Sequence, residues 1–255
     1  MPLVETPAIV LHAFDYSETS RILRLATRDA GLQSVIARGA RRGKSRFGSA
    51  VDLFAQGNAE LHLREGRDLQ TLAAFDVTVA RPALADDLER FTGASAIAEL
   101  LLRFAAADEA HPQLYDLLAA QLDRIAAAPP ERATESALAA AWLLLAELGF
   151  APALAACAAC DAPLDPARDH PFHAPLGGLL CASCAAKHPG ARKLPAAERA
   201  RLAAWTAGEL AGAPLEPRTT SAHQRLLRTF IEYHLSDRRP LRAFEAWEHG
   251  HWAAP

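Results

Sequence analysis

The chain has 255 residues, of which 51% are hydrophobic and 22% charged, and its formal net charge at pH 7 is −3. This composition is typical of a globular protein of one large domain or two to three small ones. The first residues lack the basic and apolar regions of a secretion signal, and the longest apolar run, residues 137–146, is too short for a membrane span. We therefore expect a cytoplasmic protein that has no membrane partner.

The charges are unevenly distributed along the chain. Residues 81–156 carry 5 basic and 11 acidic side chains, whereas residues 187–242 carry 11 basic and 5 acidic ones. Residues 1–80 are nearly balanced, with 10 basic and 9 acidic side chains. A polyanion is therefore expected to contact the two ends of the chain rather than its acidic middle.

The first eighty residues predict five short strands, at residues 7–14, 20–27, 31–38, 53–64 and 68–79. In the fourth, Ala59, Leu61 and Leu63 alternate with polar residues, which is the pattern of a half-buried strand. Residues 65–68 form a good hairpin turn. Five antiparallel strands in this length favour a small closed barrel, with an OB-fold first and an SH3-like barrel as the alternative.

After Arg81 and Pro82 the apolar spacing becomes helical. Helices are predicted at residues 85–107, 112–128, 134–148, 195–210 and 221–235, the last starting at a capping box that begins with Ser221. We therefore expect an α+β protein with three domains: an OB-fold domain (1–80), a helical domain formed by two segments (81–150 and 191–255) and an inserted module (151–190).

Four cysteines form two CxxC motifs separated by twenty residues: Cys157, Cys160, Cys181 and Cys184. Two such turns can each direct two thiolates at one point, and their spacing is typical of a zinc ribbon. The alternatives are a redox dithiol, an iron–sulfur cluster or four unrelated buried thiols. The spacing predicts one structural Zn²⁺ per chain, closed to water and therefore not catalytic.

Three histidines, His170, His173 and His188, lie close to the cysteines in sequence. Any of them could replace a thiolate as a zinc ligand. Because four cysteines already complete a tetrahedral site, we interpret the histidines as loop residues facing solvent.

A basic segment lies between the third and fourth predicted strands. Residues 38–46 carry five cations and no acid: Arg38, Arg41, Arg42, Lys44 and Arg46. In an exposed loop these cations would bind a nucleic-acid backbone by counterion release. Phe47, directly after them, could stack on a base or belong to the core.

A second basic group lies near the C-terminus and contains Arg225, Arg228, Arg238, Arg239 and Arg242. It could bind phosphates, or its cations could complete the end of a helix and pair with acidic side chains. The pattern does not favour one over the other. The chain contains no Gly-rich phosphate loop, HExxH or GxSxG motif, so no catalytic residue is assigned and we do not expect an enzyme.

The chain resembles the RecO family of bacterial recombination mediators over nearly its whole length. The resemblance rests on the order and spacing of several motifs: Gly-Ala-Arg-Arg-Gly-Lys-Ser-Arg-Phe-Gly at 39–48, Gly-Arg-Asp-Leu at 66–69, Asp-Leu-Glu-Arg at 87–90, Leu-Gly-Phe-Ala-Pro at 148–152, the two CxxC motifs with Gly-Gly-Leu-Leu before the second, and Tyr-His-Leu at 233–235.

The resemblance implies an OB-fold, a helical domain and a zinc module. It also implies binding of single- and double-stranded DNA, strand annealing, and loading of RecA together with RecR onto strands coated by single-stranded-DNA-binding protein. The C-terminal tail of that protein and RecF are further expected partners. The family's basic OB residues match Arg38, Arg41, Arg42, Lys44 and Arg46.

Two departures limit what is carried over from the family. Pro240 and Leu241 replace a Lys-Ser pair that is common in the family's basic tail, and some relatives lack the cysteines. Zinc is therefore not expected to be needed for the shared activity. A zinc-ribbon nuclease and a protein-interaction scaffold for an acidic partner are the alternative functions.

Overall fold

The computed structural model of the chain describes residues 3–41, 47, 52–107, 109–210, 212–234 and 239–249. These residues belong to two compact units, Met1–Ala127 and Ala128–Pro255. The finer division at residues 80, 150 and 190 stays a prediction. No helix in the described ranges has the length and apolar character needed to cross a membrane.

The first unit contains a closed barrel of five strands: β1 (Leu3–Asp15), β2 (Arg21–Thr27), β3 (Gly31–Ala37), β4 (Gln56–His62) and β5 (Gln70–Val79). The strands are paired in the order β1-β2-β3-β5-β4, and β4 returns to β1. Strands β3 and β5 run parallel, while every other pair is antiparallel. This is the topology of an OB-fold, so the predicted fold is confirmed and the SH3-like alternative is wrong.

The barrel interior is built by the alternating residues of its strands. Leu23 and Leu25 of β2, Leu61 of β4 and Leu72 of β5 are all fully buried in it. Phe47 packs in the same core and is 2% exposed. The interpretation of Phe47 as a core aromatic is therefore confirmed, and Phe47 cannot stack on a base.

Three helices complete the described part of the first unit: α1 (Pro82–Ala85), α2 (Leu88–Phe104) and α3 (Pro112–Ala127). The predicted helix 85–107 is interrupted, because Asp87 takes an extended conformation and its carboxylate accepts the Arg90 N–H to cap α2. The buried guanidinium of Arg81 donates to Asp123, to the Phe54 carbonyl and to Gln56. This arginine ties α3 to the barrel.

The second unit is mainly helical, with α4 (Ala133–Glu147), the short α5 (Ala182–Ala185), α6 (Ala196–Thr206), α7 (Pro217–His234) and α8 (Arg242–His249). Helix α4 is buried nearly all round, as its apolar sequence predicts. Helix α7 starts at Pro217, so the predicted capping box at Ser221 is wrong. The Ser221 hydroxyl instead donates to the Pro217 carbonyl inside the helix.

A buried charge network links three helices of the second unit. Glu135 of α4 is 2% exposed and accepts a hydrogen bond of 2.8 Å from Arg201 of α6. Arg201 also lies 3.5 Å from Glu198, whose carboxylate is 2.7 Å from Nε2 of His223 on α7. Because a buried charge without a partner is costly, these contacts stabilise the packing of α4, α6 and α7.

Acidification is expected to destabilise the second unit through His223. Burial, partly offset by the hydrogen bond to Glu198, lowers the pKa of His223 below its ordinary value of 6.5. The unfolded chain therefore takes up the proton at a higher pH than the folded chain. The stabilisation is complete above pH 6.5 and is lost as the pH falls towards the folded-state pKa.

Tryptophan fluorescence can measure this effect, because all four tryptophans lie in the second unit. The unfolding midpoint should fall more steeply on acidification in the wild type than in His223→Gln, which keeps a hydrogen-bonding group but cannot titrate. Equal pH slopes for the two proteins would contradict the assignment.

Candidate functional site

The cysteines lie in a small module around a three-stranded sheet. Its strands are β6 (His170–His173), β7 (Gly178–Leu179) and β8 (Arg192–Leu194), in the order β7-β6-β8. The Ala158 N–H in the first CxxC turn donates to the Leu179 carbonyl at 2.8 Å. Since Leu179 lies just before Cys181, this bond brings the two turns together.

Each CxxC segment folds into a tight turn that gathers its own pair of sulfurs. The Cys157 carbonyl accepts from the N–H groups of Cys160 and Asp161, and Asp161 has a left-handed φ of 56°. In the second turn the Ala185 N–H donates to the Cys181 carbonyl as α5 begins. The local backbone therefore presents two sulfurs from each turn.

The approach of the two segments depends on Gly178. A Cβ atom at this position would lie 2.5 Å from the Ala153 carbonyl oxygen, which is closer than real Cβ contacts allow. Gly178 and Ala153 form a parallel bridge, and the Leu179 N–H donates to the Ala153 carbonyl. The glycine thus lets the chain leading to the first cysteine turn pack beside β7.

The four sulfur atoms are suited to a single metal ion. The Sγ atoms of Cys157, Cys160, Cys181 and Cys184 all lie within 4.8 Å of one another, and Cys160 Sγ is 3.9 Å from Cys181 Sγ. A tetrahedral Zn²⁺ with Zn–S bonds of about 2.3 Å requires sulfur separations of about 3.8 Å. An iron–sulfur cluster places several iron and sulfide atoms between its thiolates and requires a wider cage.

The neighbouring histidines are held by other contacts. Nε2 of His170 lies 3.0 Å from the Asp165 carbonyl oxygen, and the His173 ring packs beside the His188 ring. Within the described ranges, the group of side chains that could hold a metal consists of the four cysteines alone. The expectation that these histidines face solvent is wrong for His173, which is buried.

The proton affinities of the thiols differ strongly within the cluster. Ser183 Oγ lies 3.1 Å from Cys181 Sγ, and this hydroxyl lowers the pKa of Cys181 to about 6. The hydrogen bond to Cys181 raises the pKa of Cys184 to about 12. Since four adjacent thiolates repel one another, a divalent cation would favour loss of the remaining protons.

The basic segment begins where β3 ends, and two of its five cations can be described. Arg38 and Arg41 are exposed, whereas Arg42, Lys44 and Arg46 lie outside the described residues. Arg41 lies 3.4 Å from the Asp15 carboxylate and donates to the Ser17 carbonyl. These contacts attach the start of the segment to the turn between β1 and β2.

The C-terminal cations differ in their contacts. Arg228 of α7 lies 2.7 Å from Glu248 of α8 and 2.9 Å from Glu232, and the Glu248 carboxylate raises its pKa. Arg225 is exposed, with no ion pair to any described residue. Arg239 and Arg242 are exposed as well, and Arg238 lies outside the described residues. Arg228 therefore acts at least in part as a helix-packing residue.

A row of aromatic rings on the barrel surface is not among the site residues predicted from the sequence. His12 and Phe14 of β1 and Tyr16 directly after it are exposed rings at every second position. Their spacing of two residues is that of side chains on one face of a strand, so the sequence pattern could have identified them. These rings lie close in sequence to the basic segment's partner residues Asp15 and Ser17.

Together these features place the chain in the class of OB-fold proteins that also contain a helical region and a four-cysteine module. Residues 1–80 match the family model "Recombination protein O N terminal", and residues 85–243 match "Recombination protein O C terminal". The chain belongs to the RecO family of DNA repair proteins.

Curated relatives match nearly the full chain. The DNA repair protein RecO of Anaeromyxobacter sp. (strain K) is 38% identical over 249 residues, which are 96% of each chain. The DNA repair protein RecO of Gloeobacter violaceus is 31% identical over 92% of this chain and 88% of the relative. That of Bifidobacterium adolescentis is 31% identical over 95% of this chain and 98% of the relative.

Proposed function

We propose that this chain binds single- and double-stranded DNA, anneals complementary strands and, with RecR, helps to load RecA onto strands coated by single-stranded-DNA-binding protein. The observation that carries the proposal is the basic segment 38–46 on an OB-fold in a chain of a DNA repair family. OB-folds use loops and one sheet face to bind oligonucleotides. The protein would act in the cytoplasm, in association with the nucleoid.

In this proposal, phosphate neutralisation is the physical basis of annealing. Two strands repel each other through their phosphates, and each bound arginine or lysine releases condensed counterions and reduces this repulsion. Arg38, Arg41, Arg42, Lys44 and Arg46 supply these cations in the first unit. The contacts are to the backbone and carry no sequence information, which suits a protein that anneals any complementary pair.

The second proposed DNA surface lies in the second unit. Arg225, Arg239 and Arg242 are exposed there, with Arg238 next to them in sequence. Arg228 is the weakest member, because Glu248 and Glu232 already compensate its charge. A surface in each unit would allow two strands to be bound at once, as annealing requires.

The proposed metal is one structural Zn²⁺ held by Cys157, Cys160, Cys181 and Cys184. When bound, a four-thiolate zinc supplies a cross-link and has no open position for water. It would fix the module 151–190 and take no part in chemistry. The remaining proposed partners are RecR, the C-terminal tail of single-stranded-DNA-binding protein and RecF, and the protein is proposed not to be an enzyme.

Titration of labelled single-stranded DNA at several salt concentrations, with annealing and cleavage assayed in parallel, tests the proposed function. We expect affinity to fall steeply with salt. In a plot of log affinity against log salt concentration, each neutralised phosphate should contribute a slope of about −0.9 on duplex DNA and about −0.7 on single strands. Annealing of complementary strands should accelerate, without cleavage.

The other outcomes would identify the alternatives. Magnesium-dependent cleavage that co-purifies with the protein would replace the proposal by a nuclease. Absence of DNA binding at low salt, together with binding of an acidic protein, would replace it by an interaction scaffold.

A further inference from the structure

The outer face of strand β1 carries three exposed rings in succession. Phe14 is 44% exposed and Tyr16 61%, although large apolar and aromatic side chains are usually buried. The ring centroids of His12 and Phe14 are 5.7 Å apart and their planes are tilted by 54°. Partial burial of the ring and the charge of Arg24 lower the pKa of His12, which disfavours its charged form.

The strand register extends this face across β2 and β3. Phe14 is paired with Ile22, and Ile22 with Ile36, which gives an apolar row across three strands. His12 is paired with Arg24 in the next row. Nε of Arg24 is buried and has no hydrogen-bond partner among the described residues. The three rings, which we call the aromatic strip, thus lie beside the positive charge of Arg24.

A cavity adjoins the strip at the end of the barrel where the basic segment begins. It has a volume of about 320 Å³, and Tyr16, Ile36 and Arg38 contribute to its wall. This volume is at the small end of the range for ligand sites. Its lining thus combines an aromatic ring, an aliphatic side chain and a guanidinium, and the other lining residues are small: Ser17, Thr19, Ser20 and Gly39.

The charges around the rings favour an anionic ligand. The Asp15 carboxylate lies within 3.4 Å of both Arg21 and Arg41, so its charge is compensated. Glu18 is a further acid in the turn between β1 and β2. Arg24 and Arg38 have no ion pair with any described residue, and the five cations of segment 38–46 start at this edge.

We propose that the bases of single-stranded DNA stack on Phe14 and Tyr16, with a base in the cavity beside Tyr16 and the backbone following Arg24 and Arg38. This inference rests on the proposed function and adds to it a means of distinguishing single strands from duplex. Bases are available for stacking on aromatic side chains only when they are unpaired, and every base has such a face. The basic loop binds phosphates in both forms of DNA, whereas the aromatic strip binds only single strands.

Fluorescence anisotropy with the full chain tests the inference on three probes: a thymidine oligonucleotide, the same oligonucleotide with abasic sites in its centre, and a duplex of equal length. Tyr16→Ala should weaken binding of the thymidine oligonucleotide about tenfold. It should leave duplex binding and the salt dependence unchanged, because the phosphate contacts remain. The wild type should lose more than tenfold on the abasic probe, because the base on Phe14 is removed as well, and Tyr16→Ala should lose less than the wild type on that probe.

Two control variants keep the test decisive. Tyr16→Phe retains the ring and should bind like the wild type, and Tyr233→Ala removes a tyrosine of equal exposure from the other unit and should have no effect. Equal weakening on all three probes, or no weakening by Tyr16→Ala, would overturn the stacking site while leaving the proposed function intact. A wild type that binds none of the probes would overturn both.

Discussion

Cys157→Ser is expected to release the metal and unfold the module 151–190, with a fall in the thermal midpoint of the second unit of about 10 °C. Structural four-cysteine zinc sites supply a large part of the folding free energy of small modules. A loss of about 3 kcal/mol corresponds to a shift of this size for a unit of this length. Tryptophan fluorescence follows the second unit, and a chromophoric chelator measures the zinc released.

The burial of the four sulfurs allows a sharper expectation. Cys157 is fully buried, so the hydroxyl of a serine there would also be buried, whereas Cys160 is exposed. Cys157→Ser should therefore lower the midpoint more than Cys160→Ser. Ser183→Ala is the matched control, because it removes the hydroxyl beside Cys181 without removing a ligand. That variant should retain one zinc per chain.

Metal analysis gives the opposing outcome. Wild-type protein purified without chelator should contain zinc, and treatment with chelator should lower its thermal midpoint. Absence of zinc, together with a thermal midpoint that chelator does not change, would contradict a structural metal. DNA binding by the barrel is expected to survive in Cys157→Ser, since the cysteines lie in the other unit.

The parts of the fold that could be predicted from sequence are those encoded by neighbouring residues. The period of two in residues 1–80 predicts five strands, and the structure has them at nearly the same positions. The two CxxC motifs identify the cysteine cluster because each turn is local. The order of strands in the barrel follows from pairing between distant segments, so the pattern could only rank an OB-fold above an SH3-like barrel.

The parts that sequence could not supply depend on contacts between elements. The sequence pattern does not predict helix α8, which carries Glu248, one of the two carboxylates that compensate Arg228 of α7. The aromatic strip likewise requires the register that places Phe14 opposite Ile22 and His12 opposite Arg24. The start of α7 was misplaced because Ser221 has the side chain of a good cap, but Pro217 is compatible with a first turn and lets the helix begin earlier.

The triple variant Arg41→Ala, Arg42→Ala and Lys44→Ala is expected to weaken binding of single- and double-stranded DNA by about 10- to 100-fold at low salt. Each phosphate contact contributes about one unit to the slope of log affinity against log salt concentration. Loss of three cations should therefore flatten this slope by up to about 3 units. Because Arg41 already forms an ion pair with Asp15, the change in slope for the triple variant should be smaller than this limit. Anisotropy titrations over a series of salt concentrations measure both quantities.

Two single variants on helix α7 test whether an ion pair inside the protein removes a cation from DNA binding. Arg225→Ala removes an exposed cation that has no ion pair to a described residue and should flatten the slope by up to about 1 unit. Arg228→Ala removes a cation held by Glu248 and Glu232 and should leave the slope unchanged. Equal flattening by both variants would mean that DNA displaces the two carboxylates, because phosphate would then compete successfully for the Arg228 guanidinium. No change in either variant would confine DNA binding to the barrel, and the cations of α7 would then serve the packing of the helices.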